Sequence, residues 1–317
     1  MALGTEMLES DVYHSGETAV QERAGARAIA LRRGSMLRDR LIDGARAFID
    51  SRDVAAVGAE RSDGTLWASL WCGVPGFFRT DANGECVEIV TAHDRTVGDD
   101  PVRRIVRGDA QFAMVVIDFA TRQRFRVNGS IGRLDRAGLE LEVREAFGNC
   151  PKYIQRRLRS DDPSGAEFAP AVSGRALDVA RCRFIEAIDT AFVASIHPER
   201  GLDVSHRGGE PGFVRVEGER TLRIPDYPGN SMFQTLGNLA VDTRAGLALV
   251  DFERRRVLSL TGSTTIAFDA EDDRHPSGGT GRYWTFTIEE WVEFALAPAI
   301  RWTLLERSPF NPPTLER

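Results

Sequence analysis

The chain has 317 residues, a formal net charge of −6, 42% hydrophobic residues and 28% charged ones. That length suits two domains with cores that need no covalent staples; the interspersed charges argue against a nucleic-acid partner, and no apolar run approaches the ~20 residues of a membrane span. Four scattered cysteines (Cys72, Cys86, Cys150, Cys182) and an N-terminus without a leader pattern give no disulfide framework or metal site, so the cytoplasm is the expected compartment.

Residues 1–34 read as an N-terminal arm. From Met36 to Ser51, apolar residues at near-helical spacing (Met36, Leu37, Leu41, Ile42, Ala45, Phe48) predict an amphipathic helix. Strands are predicted over 53–60, 65–72, 76–79 and 86–91, with Pro75-Gly76 as a corner, followed by a helix over 101–107. Two long strands, 111–119 and 123–131, then close the set through a short Ala-Thr-Arg-Gln link. After a linker over 158–174 the series restarts: a helix over 176–188, strands over 190–197, 202–206, 213–216 and 220–225, a helix over 230–238, and strands over 245–252 and 255–262. The Pro-rich stretch 306–317 is an expected irregular tail.

The restart is a repeat. Gly73-Val-Pro-Gly-Phe-Phe-Arg79 matches Gly209-Glu-Pro-Gly-Phe-Val-Arg215, and Val116–Ser130 matches Leu249–Ser263 through Asp118/Asp251, Phe119/Phe252, Arg122/Arg255, Gly129/Gly262 and Ser130/Ser263. The matches are collinear, which predicts a tandem duplication: one β-barrel domain over 35–157 and a second over 175–305. The fold class expected is mainly β, two antiparallel barrels, closed or split, with flanking helices.

Four segments make a family resemblance: Tyr13–Gly25 (YHSGETAVQERAG), Asn149–Arg157 (NCPKYIQRR), Asp203–Val216 (DVSHRGGEPGFVRV) and Ile224–Leu239 (IPDYPGNSMFQTLGNL). With the repeat they span residues from about 13 to 300, and the chain resembles the pyridoxamine 5'-phosphate oxidase-like, FMN-binding split-barrel family, in particular its tandem branch, some members of which are fused to a ferredoxin-reductase module. The resemblance implies a flavin mononucleotide in a groove between two barrels, with deazaflavin and haem as the alternatives found among relatives. The C-terminal substrate signature of the true oxidase and the reductase module are both missing, so the substrate is open. Electrons would come from NAD(P)H or a separate reductase.

A flavin nucleotide needs cationic forks, hydroxyls or a helix N-terminus for its phosphate, and a flat apolar bed for its ring. Ser205, His206 and Arg207 end a predicted strand before a Gly-Gly turn; they are either an ordinary strand end or, by resemblance, part of the phosphate site. Asn230 and Ser231 suit a helix N-cap; by resemblance they face the groove with Gln234, Thr235 and Asn238. The equivalent first-copy stretch, Ala92–Asp100, carries three aspartates, which suits a phosphate poorly. One flavin per chain is therefore expected. Lys152, the only lysine, and Tyr153 follow the first set's closing strands; Lys152 is either a surface lysine or a cation near the flavin N1 and O2. His14 and Glu17 are expected to make local hydrogen bonds, and no metal ligand set is evident.

Three functions fit: a flavin-dependent oxidoreductase acting on a small molecule, a non-catalytic flavin or haem carrier or sensor with His206 as the axial candidate, and a duplicate that has lost its ligand. No catalytic acid or base stands out. A pseudo-dimeric monomer or a homodimer is the expected assembly.

Overall fold

Strands dominate the computed structural model, which describes residues 12–162, 164 and 169–314; two of them, β2 over Leu66–Cys72 and β10 over Thr190–His197, are buried along their whole length. The remaining residues of the expected arm, linker and tail lie outside the described residues. Three helices come first: α1 (Ser15–Arg23), α2 (Arg27–Gly34) and α3 (Asp43–Asp50). The first sheet contains β1 (Val54–Glu60), β2 (Leu66–Cys72), β3 (Phe78–Thr80), β4 (Cys86–Val90), then, after α4 (Pro101–Ile105), β5 (Gln111–Asp118), β6 (Gln123–Leu134) and β7 (Gly138–Gly148). Two short strands, β8 (Arg156–Asp161) and β9 (Val172–Gly174), precede α5 (Val179–Ala187). The second sheet follows with β10 (Thr190–His197), β11 (Gly201–Gly208), β12 (Arg215–Gly218), β13 (Thr221–Pro225), then α6 (Gln234–Val241), β14 (Arg244–Asp251), β15 (Arg256–Ala267) and β16 (Tyr283–Ala295). The last strand is β17 (Ile300–Glu306).

The two sheets repeat one antiparallel path. The first runs β2-β1-β5-β6-β7-β4-β3 and the second β11-β10-β14-β15-β16-β13-β12, with β9 added at β16. Their turns repeat as well. Arg122 and Arg255 carry φ of 56° and 54° in the two closing hairpins, and Gly76 and Gly212 carry φ of 88° and 90° in the two Pro-Gly corners. These are left-handed conformations, which a glycine adopts without steric cost.

Each sheet has its own core: Ile49, Trp67, Phe78 and Phe112 in the first, Ile185, Leu260, Trp284 and Phe286 in the second. A further core lies between the sheets, where Ala56, Leu70 and Val115 meet Phe192, Val204 and Ala248. Burying each large apolar side chain contributes about 1.5–3 kcal/mol, so this seam holds the halves as one body. The approach is tight. A Cβ added at Gly246 would sit 2.8 Å from the Leu66 carbonyl oxygen.

Three expectations need correction. The helix expected over 36–51 begins only at Asp43, because Arg38 is drawn into a bridge with Ala146 and the Leu41 amide donates to the Gly84 carbonyl. The helix expected over 230–238 is displaced to Gln234–Val241, behind a loop in which Ser231 and Phe233 take left-handed φ of 60° and 62°. Each set closes with three long strands, not two, since β7 and β16 were assigned no element. In addition, residues 156–161 leave the barrel–linker boundary to pair as β8 with β17.

The described part of the arm docks on the second half. His14 caps α1 in a reciprocal arrangement with Glu17, whose carboxylate accepts the His14 amide at 2.9 Å. The helix lies against α6 where Gly16 meets Gly237; a Cβ at Gly16 would overlap the Gly237 carbonyl. No helix among the described residues is long and apolar enough to cross a membrane.

Candidate functional site

Strand alternation sets the walls of a cleft at the seam between the sheets. On β6 the run Arg124-Phe125-Arg126 places both arginines on one face. Arg126 meets Asp203 of β11, with Nη1 at 3.1 and 3.0 Å from the two carboxylate oxygens. On β11, His206 packs edge-on against Phe192, with ring centroids 5.4 Å apart. Its neighbour Arg207 reaches Asp226 beyond β13, at 3.2 Å, and Asp226 is shared with Arg282 at 3.0 Å.

The cleft has two connected lobes. One encloses about 560 Å3 and is lined by Arg124, Asn149, Cys150, Tyr153, His206 and Phe213 among others. The other encloses about 360 Å3 beside Asp226, Ser231, Phe233, Gln234, Thr235 and Leu236. Arg126, Arg207, Tyr227, Gly229 and Asn230 border both.

Polar groups without partners concentrate here. Arg126 Nε, Arg207 Nε, Asn149 Nδ2, Gln234 Nε2 and both ring nitrogens of His206 are buried and make no hydrogen bond. A buried donor left unpaired costs about 1–3 kcal/mol, so this many around one cleft mark a site built for a ligand with acceptors. Burial and the surrounding guanidinium groups hold His206 well below the usual imidazole range, so it is neutral. Burial also pushes Arg207 down, and Arg124 down to about 10. Arg124 donates only to neutral groups, the carbonyls of Cys150 at 3.0 Å and His206 at 3.4 Å, with the Cys150 thiol at 3.9 Å.

Backbone strain gathers at the same place. Tyr153, Ser231 and Phe233 all line the cleft with left-handed φ, and such residues persist only where their surroundings hold them. The holding contacts are visible. Gln21, fully buried, donates to the Met232 carbonyl at 2.8 Å, Arg33 donates to the Asn230 carbonyl, and the Tyr153 hydroxyl donates to the Pro228 carbonyl at 2.9 Å. Tyr153 and Tyr227 stand with ring centroids 5.0 Å apart. No side chain caps the first turn of α6, which begins at the smaller lobe.

Of the residues singled out from sequence, His206, Arg207, Tyr153, Asn230, Ser231, Gln234 and Thr235 border the cleft. Three lie elsewhere. The Ser205 hydroxyl is taken by Thr235 at 2.9 Å; Asn238 joins Ser195 at 3.1 Å and His14 at 3.0 Å. The Lys152 ammonium sits 5.3 Å over the Phe310 ring, in a groove beside the tail. Arg124, Arg126, Asn149 and Tyr227 were missed. The alternation of Arg124 and Arg126 on a strand was the available signal for two of them.

The pseudo-equivalent place, between β2 of the first sheet and β15 of the second, is different. Strand register matches Trp71 to Arg207, Val257 to Arg124 and Ser259 to Arg126. Asp100 there is buried, caps α4 and accepts from Ser69, and burial pushes its carboxyl up to about 6. Among the described residues, no group of three His, Cys, Asp or Glu side chains is arranged to hold a metal ion.

No protein-family profile matches the chain, and no curated protein matches it. Among solved structures, it is similar to HupZ of Group A Streptococcus, with 14% identity over 39% of this chain and 98% of that one and a TM-score of 0.30. A protein of the pyridoxinephosphate oxidase family from Clostridium acetobutylicum, related to a Bacillus subtilis general stress protein, gives 13% identity over 40% and 93%, with a TM-score of 0.29. An F420 reductase gives 13% identity over 35% and 93%, with a TM-score of 0.27.

Proposed function

We propose that the chain is a flavoprotein that binds one flavin mononucleotide in the cleft between its two halves and acts as an oxidoreductase on a small molecule. The observation that carries this reading is the set of unpaired buried donors on Arg126, Arg207, Asn149, His206 and Gln234 around a single cleft. A phosphate suits the smaller lobe, where Arg207, Arg126, Ser231 and Gln234 surround the uncapped first turn of α6, a place that favours anions. Tyr153, Tyr227 and Phe213 offer the larger lobe an aromatic bed. Burial pushes the Tyr153 hydroxyl up to about 12, so it stays neutral at ordinary pH. When bound, the flavin supplies the hydride chemistry, and the protein binds and orients it. Electrons come from NAD(P)H or a separate reductase. The matching strand orders support a tandem duplication and a pseudo-dimeric single chain, in which the pseudo-equivalent place between β2 and β15 carries Trp71, Val257 and Ser259 where the cleft carries Arg207, Arg124 and Arg126.

The test is quenching of flavin fluorescence on titration with the purified chain. Saturable binding of FMN, weakened at least about tenfold by Arg207→Gln through loss of a charge-assisted contact, supports the reading; Asp226 keeps Arg282 as a partner in that variant. Binding of riboflavin as tight as that of FMN contradicts a phosphate site. One observation favours a second reading, haem: His206 is neutral, buried, unpaired and on the cleft wall. A Soret band on reconstitution, lost in His206→Ala, decides for it. Deazaflavin meets the same donors and is separated by its own absorbance.

A further inference from the structure

Arg124 stands apart from the other cationic groups of the cleft. Arg126 has Asp203, and Arg207 has Asp226. Among the described residues, Arg124 has no carboxylate partner; its guanidinium is held by two carbonyls and a thiol. No acidic side chain lines its lobe. Beside it are His206, 5% exposed with both ring nitrogens unpaired, and the unpaired Asn149 Nδ2. The other walls are flat and apolar: Tyr153, Tyr227, Phe213 and Pro225.

A guanidinium without a carboxylate partner, neutral donors and aromatic walls together define a ligand: a monoanion on a planar body. A guanidinium fork matches a carboxylate in geometry and charge. A phosphate dianion would leave one charge uncompensated at Arg124, whereas the smaller lobe adds the uncapped first turn of α6 to Arg126 and Arg207, which border both lobes. We propose that the lobe around Arg124 is the substrate subsite, and that the substrate is a flat organic acid whose carboxylate is taken by Arg124 with Asn149 and His206 as neutral partners. This rests on the flavoprotein reading for the word substrate, but the anion site itself stands on Arg124.

Benzoate is the probe and benzamide its neutral counterpart, titrated calorimetrically into the full chain with and without FMN. Benzoate is expected to bind saturably to both forms, at least about tenfold tighter than benzamide. Arg124→Met is expected to remove that preference while FMN affinity falls less than in Arg207→Gln, because Arg124 borders the lobe of the ring but not that of the phosphate. Arg124→Lys, which keeps the charge without the fork, serves if the methionine variant does not fold; it is expected to bind benzoate several-fold more weakly than the wild type. Benzoate binding no better than benzamide, or unchanged in either variant, overturns the proposal, as does loss of FMN along with benzoate in Arg124→Met. A chain that binds benzoate through Arg124 but takes no FMN keeps the anion site and removes the flavin reading; FMN binding without benzoate binding does the reverse.

Discussion

Arg126 of β6 and Asp203 of β11 belong to different sheets and form an ion pair across the seam, with side chains 9% and 5% exposed. Asn128 adds a hydrogen bond to the same carboxylate at 3.1 Å. The pair both joins the halves and fixes one wall of the cleft, which leaves Arg126 Nε buried there with no partner of its own.

Removing one member strands the other. Asp203→Ala is expected to destabilise the chain by about 3–5 kcal/mol, because it leaves a buried guanidinium uncompensated. The double variant Arg126→Met, Asp203→Ala is expected to recover most of that loss. Denaturant unfolding of the wild type, both single variants and the double variant measures the coupling; a double variant as unstable as the sum of the singles denies that the pair acts as a unit.

Stability is expected to fall as pH rises from about 6.5 to 8. Burial raises Glu17 from 4.5 to about 8, and burial, His197 and Arg200 lower His14 from 6.5 to about 4. Folded Glu17 keeps a proton that the unfolded chain releases, so its contribution is full below pH 4.5 and is lost as pH rises through 8. The His14 contribution has the opposite sense, full above 6.5 and lost as pH falls through 4. Above 6.5 the acids act alone, and Glu145, also raised by burial, adds in the direction of Glu17. Chemical denaturation across this window should show the decline, and Glu17→Gln should flatten it.

The arm reaches the cleft only through its contacts. Gly16→Ala forces a methyl into the Gly237 carbonyl where α1 crosses α6, which is expected to cost about 1–3 kcal/mol. Since Gln21 on the same helix holds the Met232 carbonyl, FMN affinity is expected to fall with it. Thermal melts together with FMN titration check both; an arm that loosens with no change in affinity separates it from the site.

The strands of both halves were legible because their apolar residues cluster between turn signals, as in Val54–Glu60 and Thr190–His197. Strand β7 was not, although Leu139-Glu-Leu-Glu-Val143 alternates; its charged face turns to solvent and resembles a loop when read by composition. Leu37 and Leu41 share helical spacing but pack separately, Leu37 against the cluster of Tyr13 and Phe147 and Leu41 in the first core. At the cleft, the turn-and-helix corner after β13 was readable from Asn230 to Thr235. The alternation of Arg124 and Arg126 was readable, but their place on the cleft depends on β6 of one sheet facing β11 of the other, a long-range relationship that local pattern does not encode.

The most direct test of the account is the number of FMN molecules bound per chain at saturation, measured by equilibrium dialysis on the wild type, Arg126→Met and Arg207→Gln. One FMN per chain, weakened in both variants, is the expected result. No saturable binding contradicts the flavin site itself, and two FMN per chain contradicts the reading that the pseudo-equivalent place between β2 and β15, which lacks the arginines, takes no flavin.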